Sequence, residues 1–298
     1  MSILPFGEEI LPLAEDFVLK AVLTHPDAKP ALIDLISAVI GRNVKDVQLL
    51  NNELHSVDAD EKKQRLDVNC IIDDGSQVNV EMQGSALGGI DGGRLTLTNK
   101  SIYYLTKLHS TQKAKSVPYE NFVRTYQITF CANNIFKHKE YLTYATLRTE
   151  KGIQISEQIN LIFIELSKLS GVLKKPVDKM TSIEDWSIFL GYSGDPDKRV
   201  LLNKILAKKE GLVMAGTVLA AISKDEHERA KRLSQEKWET DFYNNYVVRA
   251  EKALAEGIAE GKAEANTKTA KILKKAGILT NTQIAEATDL SIEEIEKL

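Results

Sequence analysis

Two short segments of alternating apolar and polar residues, joined by a tight turn, constrain the fold of this chain most. Residues 66–72 alternate, Asp-Asp-Gly at 73–75 turns the chain, and residues 77–83 alternate again. A period of two is typical of a half-buried strand, and two such runs around a Gly-containing turn predict a β-hairpin. Because helical patterns lie on both sides of it, the hairpin is expected inside a packed α/β core.

The register of this hairpin decides which carboxylates face each other. A two-residue turn would place Asp67 opposite Met82 and would mix the polar and apolar faces, which a half-buried sheet resists. A three-residue loop with Gly75 in the left-handed conformation makes the apolar face continuous. The same register places Asp67 opposite Glu81, with their Cβ atoms about 4.5–5.5 Å apart.

Two carboxylates opposed in this way repel each other unless something neutralises them. Oxygen ligands suit a hard divalent cation such as Mg²⁺ or Mn²⁺, and Gln83, on the same face as Glu81, could orient a water molecule. A second interpretation stays open, in which these side chains form an ordinary exposed polar face of an edge hairpin. Spacing alone does not separate the two.

The remaining pattern predicts a mixed order of helices and strands. The predicted elements are helices at 10–23, 31–40 and 95–110, a short strand within 43–52, a buried strand at 122–131, a hairpin over 141–165 and mainly helices from 171 onward. This order predicts an α/β domain over residues 1–245 and a helical tail over residues 246–298. In the tail, Thr282 and Ser291 are the predicted N-caps of two short helices.

Composition favours a globular protein with a real core, since 43% of the residues are hydrophobic and 27% are charged. The chain has neither the pattern of a signal peptide nor an apolar stretch of membrane-spanning length, so we expect a cytoplasmic protein with no membrane partner. Cys70 and Cys131 lie in apolar, strand-like runs and are predicted to be buried thiols. The five scattered histidines lack the spacing of a zinc site.

Charge is distributed unevenly along the chain. The formal net charge is −3, but residues 94–151 contain ten basic and three acidic residues and therefore carry +7. A cationic segment inside an acidic protein favours a surface that faces a polyanion. A solvated helix face with lysines for solubility explains the same pattern, and charge alone does not decide between them.

Several stretches resemble, in the same order, the Rpn family of recombination-promoting nucleases and transposases in the PD-(D/E)xK nuclease superfamily. The matching stretches are DFVLK at 16–20, KKQRLDV at 62–68, VNVEMQ at 78–83 and KSIYYLTKL at 100–108. A further block, KSVPY at 115–119, resembles the family's K-G-x-x-Y. Leu19, Lys100 and Ser116 depart from the residues that are more usual in these stretches. The resemblance covers most of the chain. It implies a restriction-endonuclease-like fold, with a central mixed sheet flanked by helices, and Mg²⁺-dependent hydrolysis of DNA phosphodiesters.

The resemblance also implies a catalytic set. Asp67 and Glu81 would hold the metal, and Asp16 would be a further ligand or would position one, unless it is ordinary acidic polarity in a first helical turn. Gln83 stands where the superfamily has a lysine. A glutamine carries no positive charge and can only hydrogen-bond the attacking water or a phosphate oxygen.

Six residues are predicted to contact DNA: Lys20, Lys62, Arg65, Arg94, Lys100 and Tyr104. Lys20 or Lys100 could also supply the missing positive charge, although each could equally be an ordinary surface lysine. Arg65 could instead pair with a local acid. Of Tyr104 and its neighbour Tyr103, one is expected to pack in the core and the other to contact the nucleic acid.

The tail superficially resembles a helix-turn-helix. Its last eight residues carry three glutamates and one lysine, so phosphate would repel them, and homo-oligomerisation or docking is favoured. The leading hypothesis is a metal-dependent DNA endonuclease that acts in recombination or transposition-like processes. Two alternatives stay open: a catalytically silent nucleic-acid-binding protein that keeps the fold, and an interaction protein of a toxin–antitoxin or defence system.

Overall fold

The chain forms two compact units, Met1–Ser234 and Gln235–Leu298. The computed structural model describes residues 2–52, 66–84, 90–112, 118–225, 229, 234 and 248–298. The predicted boundary between residues 245 and 246 lies outside these ranges. None of the helices in the described part has the length and apolar character that a membrane span requires.

The first unit is built on a six-stranded sheet with strand order β1-β2-β3-β4-β6-β5. Its strands are β1 Val47–Leu49, β2 Val68–Ile72, β3 Gln77–Gln83, β4 Thr125–Cys131, β5 Leu142–Thr146 and β6 Ile159–Glu165. Its helices are α1 Asp16–Leu23, α2 Lys29–Ile40, α3 Ile90–Ser110, α4 Ser182–Tyr192, α5 Arg199–Leu206 and α6 Glu210–Lys224. Strands β3, β4 and β6 are parallel and the other neighbours are antiparallel, which confirms the predicted mixed sheet with flanking helices.

The β2–β3 hairpin has the predicted register. Val68 pairs with Val80, and the turn contains Gly75 at φ +83°, a conformation that glycine adopts without strain. Because side chains alternate along a strand, this register sends the valines to one face of the sheet. Asp67 and Glu81 therefore lie towards the other face.

The two faces of the sheet differ in polarity. One packs against α1, α2 and α4–α6 in the main apolar core, where Trp186 and Phe189 of α4 are fully buried. The other, which contacts α3, carries buried polar side chains that include Asn79, Gln127 and Thr129. Buried polar groups need internal hydrogen-bond partners, and this layer leads directly into the carboxylate site.

The first helix begins later than predicted. The apolar spacing predicted a helix over 10–23, but α1 begins at Asp16. The backbone N–H groups of Leu11 and Leu13 donate instead to the hydroxyls of Ser223, at 3.0 Å, and Ser193, at 2.6 Å. Both leucines are buried, so a non-helical segment pinned by two distant serines produces the same apolar spacing as a helix.

The second unit contains three helices, α7 Val248–Ala276, α8 Asn281–Thr288 and α9 Ile292–Lys297. Its small core is formed by Ala270, Ile284 and Ile295. The predicted capping box of Ser291 with Glu294 is confirmed at the start of α9. The predicted cap at Thr282 is wrong: Thr280 caps α8. Its hydroxyl oxygen accepts from the Gln283 backbone N–H, and its own backbone N–H donates to Gln283 Oε1.

Candidate active site

Two carboxylates meet at the open end of the β2–β3 hairpin. Asp67 lies one residue before β2, and Glu81 lies in β3 at the next position of the same register. The Asp67 backbone N–H donates to Glu81 Oε1 at 3.3 Å, and the Met82 N–H donates to Asp67 Oδ2 at 3.0 Å. Only 9% of Asp67 and 3% of Glu81 is exposed. The structure thus brings together the predicted pair in a site nearly shielded from water.

A third carboxyl group, from Asp16 at the start of α1, joins this pair. Its charge acts on the Asp67 carboxyl group, while its own buried Oδ1 has no hydrogen-bond partner among the described residues. Burial first, and then the negative charges of Glu81 and Asp16, raise the pKa of Asp67 to about 9, with the Met82 N–H opposing the shift. With a pKa of about 9, the Asp67 carboxyl group holds a proton at neutral pH when no metal is bound.

Polar side chains from β3 and α3 contact both side-chain oxygens of Glu81. Asn79 Nδ2 donates to its Oε1 at 3.0 Å, and Lys100 Nζ, from α3, lies 3.1 Å from its Oε2. Burial lowers the pKa of Lys100, but the attraction of Glu81 outweighs it with help from Tyr104 and Asp67, and the pKa ends above its usual value. Lys100 therefore stays charged beside the carboxylates.

A buried polar layer supports Glu81 from β4 and α3. Asn79 Nδ2 also donates to Gln127 Oε1 at 2.9 Å, and Gln127 Nε2 donates to Thr129 Oγ1 at 3.3 Å. Ser101 Oγ lies 3.4 Å from Thr129 Oγ1. None of these supporting residues was predicted from the sequence. The available signal was the alternation of Gln127 and Thr129 with large apolar residues in a strand that is otherwise buried.

Comparison with models of known protein families identifies the family of this chain. A family model described as PD-(D/E)XK nuclease family transposase matches residues 13–250, which is most of the chain. The chain belongs to this family. The match contains Asp16, Asp67, Glu81 and Lys100, and it confirms the resemblance drawn from the sequence motifs. Searches of curated proteins and of solved structures found no match.

The predicted lysines and glutamine of this family member lie at different distances from the carboxylates. Gln83 lines the same recess as Glu81 and Lys100, where it could reach a bound water or phosphate. Lys20 Nζ lies 3.5 Å from the backbone oxygen of Leu66, next to Asp67 in sequence. Only Lys100 contacts a carboxylate of the described site directly, so it is the better placed of the two candidate cations.

The other predicted DNA contacts separate into three groups. Arg94 is exposed near the start of α3. Tyr104 is only 7% exposed and its ring lies 5.2 Å from Lys100 Nζ, so it supports that lysine and does not offer a face to a base. Its neighbour Tyr103 is 38% exposed. Lys62 and Arg65 lie outside the described residues.

The donor set fits an oxygen-preferring divalent ion, which nucleases of this family generally use. Within the described residues no ready-made cluster of three metal-ligating side chains is formed. Glu81 and Asp16 nevertheless both act electrostatically on Asp67, and the Asp16 Oδ1 atom is buried without a hydrogen-bond partner in that part of the chain. A divalent cation would displace the proton from Asp67, as metal binding commonly does.

Proposed function

We propose that this protein is a Mg²⁺-dependent endonuclease that hydrolyses DNA phosphodiester bonds in recombination or transposition-like processes, with Mn²⁺ as an alternative ion. The observation that carries the proposal is the buried contact of Asp67 with Glu81, with Lys100 held against Glu81. Family membership supports a nuclease of the transposase type.

Asp67 and Glu81 would hold the metal, with Asp16 as the further oxygen donor. When bound, the ion would polarise the scissile phosphate and lower the pKa of a water molecule. The backbone N–H of Met82 and the side-chain amide of Asn79 orient the two main carboxylates before any ligand arrives. Such preorganisation is what an active site needs to stabilise charge that develops during reaction.

Lys100 takes over the electrostatic role that Gln83 cannot fill. Its charge is maintained by Glu81, and its Nζ lies beside the recess that Gln83 also lines. Lys100 would donate to a phosphate oxygen as negative charge grows there, while Gln83 would hydrogen-bond the attacking water. Separating the two roles explains how the site works without a lysine at position 83.

The test is cleavage of supercoiled plasmid in Mg²⁺, Mn²⁺, Ca²⁺ or EDTA by the full-length protein and by Asp67→Asn and Glu81→Gln. Both substitutions keep the size of the side chain, so loss of activity would not follow from poorer packing. Asp178→Asn, at an exposed position, is the matched control. We expect nicking with Mg²⁺ or Mn²⁺ in the wild type and the control, and none in the two site variants.

Two results would overturn the proposal in different ways. Wild-type protein that binds DNA but cleaves it with none of the metals would be a silent binding protein that keeps the nuclease fold. Cleavage that persists in both Asp67→Asn and Glu81→Gln would show that another site of the protein, or a contaminating nuclease, performs the hydrolysis.

A further inference from the structure

A groove beyond the carboxylate site carries positive charge that the proposed chemistry does not use. It has a volume of about 520 Å³ and is lined by Arg94 of α3, residues 134–139 after β4, and Lys168 and Ser170 after β6. None of the described residues that line it is acidic. The charged side chains that line the groove are therefore all basic and would attract an anion, although the net charge of the protein is negative.

One of the groove's cations is already neutralised. Lys168 Nζ donates to Glu165 Oε2 at 2.7 Å and to Phe136 O at 2.9 Å. Glu165 is fully buried and also accepts from Phe136 N at 3.0 Å, so this pair fixes the loop after β4 to the end of β6. Three exposed cations remain without an acidic partner among the described residues: Arg94, Lys137 and Lys139.

The groove and the carboxylate site both lie at the C-terminal ends of the parallel strands. Strands β3, β4 and β6 are parallel, and the groove is formed after the ends of β4 and β6, while Glu81 lies near the end of β3. Helix α3 connects the two places, since Arg94 lines the groove and Lys100 contacts Glu81. Arg94 and Lys100 are six positions apart on the helix, which corresponds to a rise of about 9 Å along the helix axis.

We propose that this groove binds a backbone phosphate of the nucleic-acid substrate, away from the scissile bond. The inference rests on the proposed nuclease function and names a second contact for the same substrate. One DNA strand advances about 3.4 Å per nucleotide along the duplex axis, so two contacts made from positions about 9 Å apart along α3 would fall within a few nucleotides of each other. The groove would fix the position of the strand while the carboxylate site acts on it.

A phosphate fits the groove better than a base edge does. The three exposed cations are donors only, whereas base edges present patterns of both donors and acceptors. Three other polar groups of the lining already have partners: the Asn134 side-chain oxygen accepts from Ser167, the Phe136 carbonyl accepts from Lys168, and the His138 ring contacts Glu140 and Thr143. Contacts of this kind position a nucleic acid without reading its sequence.

The experiment measures binding of a fluorescent duplex by anisotropy, in EDTA, over a series of salt concentrations. The full-length protein is compared with Arg94→Gln/Lys137→Gln/Lys139→Gln. A control variant, Lys179→Gln/Lys198→Gln/Lys204→Gln, removes the same charge outside the groove. We expect the groove variant alone to bind at least tenfold more weakly. Its salt-dependence slope should be smaller by about 1 for each phosphate that it no longer neutralises.

The outcomes separate this inference from the proposed function. Equal affinity and slope in the groove and control variants would overturn the inference, even if the wild type cleaves plasmid. Loss of DNA binding in the groove variant supports it, even if no metal supports cleavage. If the triple variant melts below the wild type, the single variant Lys139→Gln is compared with Lys204→Gln instead, and the same difference in slope is expected on a smaller scale.

Discussion

Asp67 is the residue of the site whose ionised form is most disfavoured by its surroundings. Its carboxyl group is buried, and both the low-dielectric surroundings and the charges of Glu81 and Asp16 disfavour its ionised form. A proton on Asp67 relieves this conflict when no metal is present, while Lys100 balances Glu81. Sites that are built to bind a cation commonly hold such mutually repelling groups at a cost in stability.

The raised pKa of Asp67 predicts how stability depends on pH in the absence of metal. The group titrates near its ordinary pKa of 3.8 in the unfolded chain and at about 9 in the folded protein, so the folded state holds the extra proton between these values. Stability therefore falls as pH rises through this window and levels off above pH 9. Asp67→Asn removes the group, and we expect a flatter dependence in urea unfolding at pH 5, 7 and 9 in EDTA.

The Asp178→Asn variant controls for the general effect of removing one carboxylate. Its pH dependence should follow that of the wild type, because Asp178 is exposed. Parallel curves for the wild type and Asp67→Asn would show that Asp67 is ionised in the folded state, and they would contradict the raised pKa of Asp67.

Lys100 is predicted to contribute to the chemical step. Lys100→Gln keeps the hydrogen-bonding capacity but removes the charge. We expect cleavage under single-turnover conditions to slow by about 100-fold or more, as is typical when an active site loses one electrostatic donor. Lys20→Gln is the matched comparison, because Lys20 contacts only a backbone oxygen in the described structure. A larger effect at Lys20 would transfer the cationic role to that residue.

At the scale of elements, helix α2 packs closely against α6, and both helices belong to the apolar core that also contains α1 and one face of the sheet. Gly211, in the first turn of α6, permits this approach. A Cβ atom placed there would lie 2.5 Å from Asp34 Cβ and 2.8 Å from the Pro30 carbonyl oxygen. Neither neighbour is the far end of a flexible side chain, so the helices themselves would have to separate.

We therefore expect Gly211→Ala to lower the free energy of unfolding by about 1–3 kcal/mol, despite the better helix propensity of alanine. Gly171→Ala is the control, because a Cβ atom there meets nothing within 4 Å. Urea unfolding of both variants checks the prediction. An unchanged urea midpoint for Gly211→Ala would contradict the prediction, because it would mean that α2 and α6 can move apart at little cost in free energy.

At the scale of the whole molecule, the described site and the basic groove both belong to the first unit, while the second unit adds a long exposed helix. Ile258, Ala265 and Ile272 of α7 are exposed and recur every seven residues, and Leu254 lies one turn before them. A seven-residue apolar repeat is the spacing of a helix that pairs with another helix. This spacing favours the homo-oligomer that the sequence predicts, and the prediction remains to be tested.

We expect the full-length protein to associate through this apolar stripe, with a second copy as the partner. Light scattering during size-exclusion chromatography should give more than the mass of one chain, and Ile258→Glu/Ile272→Glu should return it to one. Glu260→Gln, on the opposite side of α7, should leave the mass unchanged. A monomeric wild type at all concentrations would exclude pairing by this helix.

The sequence by itself determined the hairpin register and therefore the meeting of Asp67 with Glu81. Both follow from local rules, namely the alternation of side chains and a turn that needs Gly75 at positive φ. Family membership was equally readable, because it depends on the order of motifs along the chain.

Only the tertiary structure decided which other groups surround this pair. Lys100 and Gln127 reach the site because α3 covers the polar face and because β4 lies parallel to β3, and neither placement follows from local periodicity. The late start of α1 has the same origin, since distant serines take the hydrogen bonds of residues 11 and 13. Local spacing fixes neighbours on one hairpin or helix, whereas contacts between distant segments depend on how all the layers pack together.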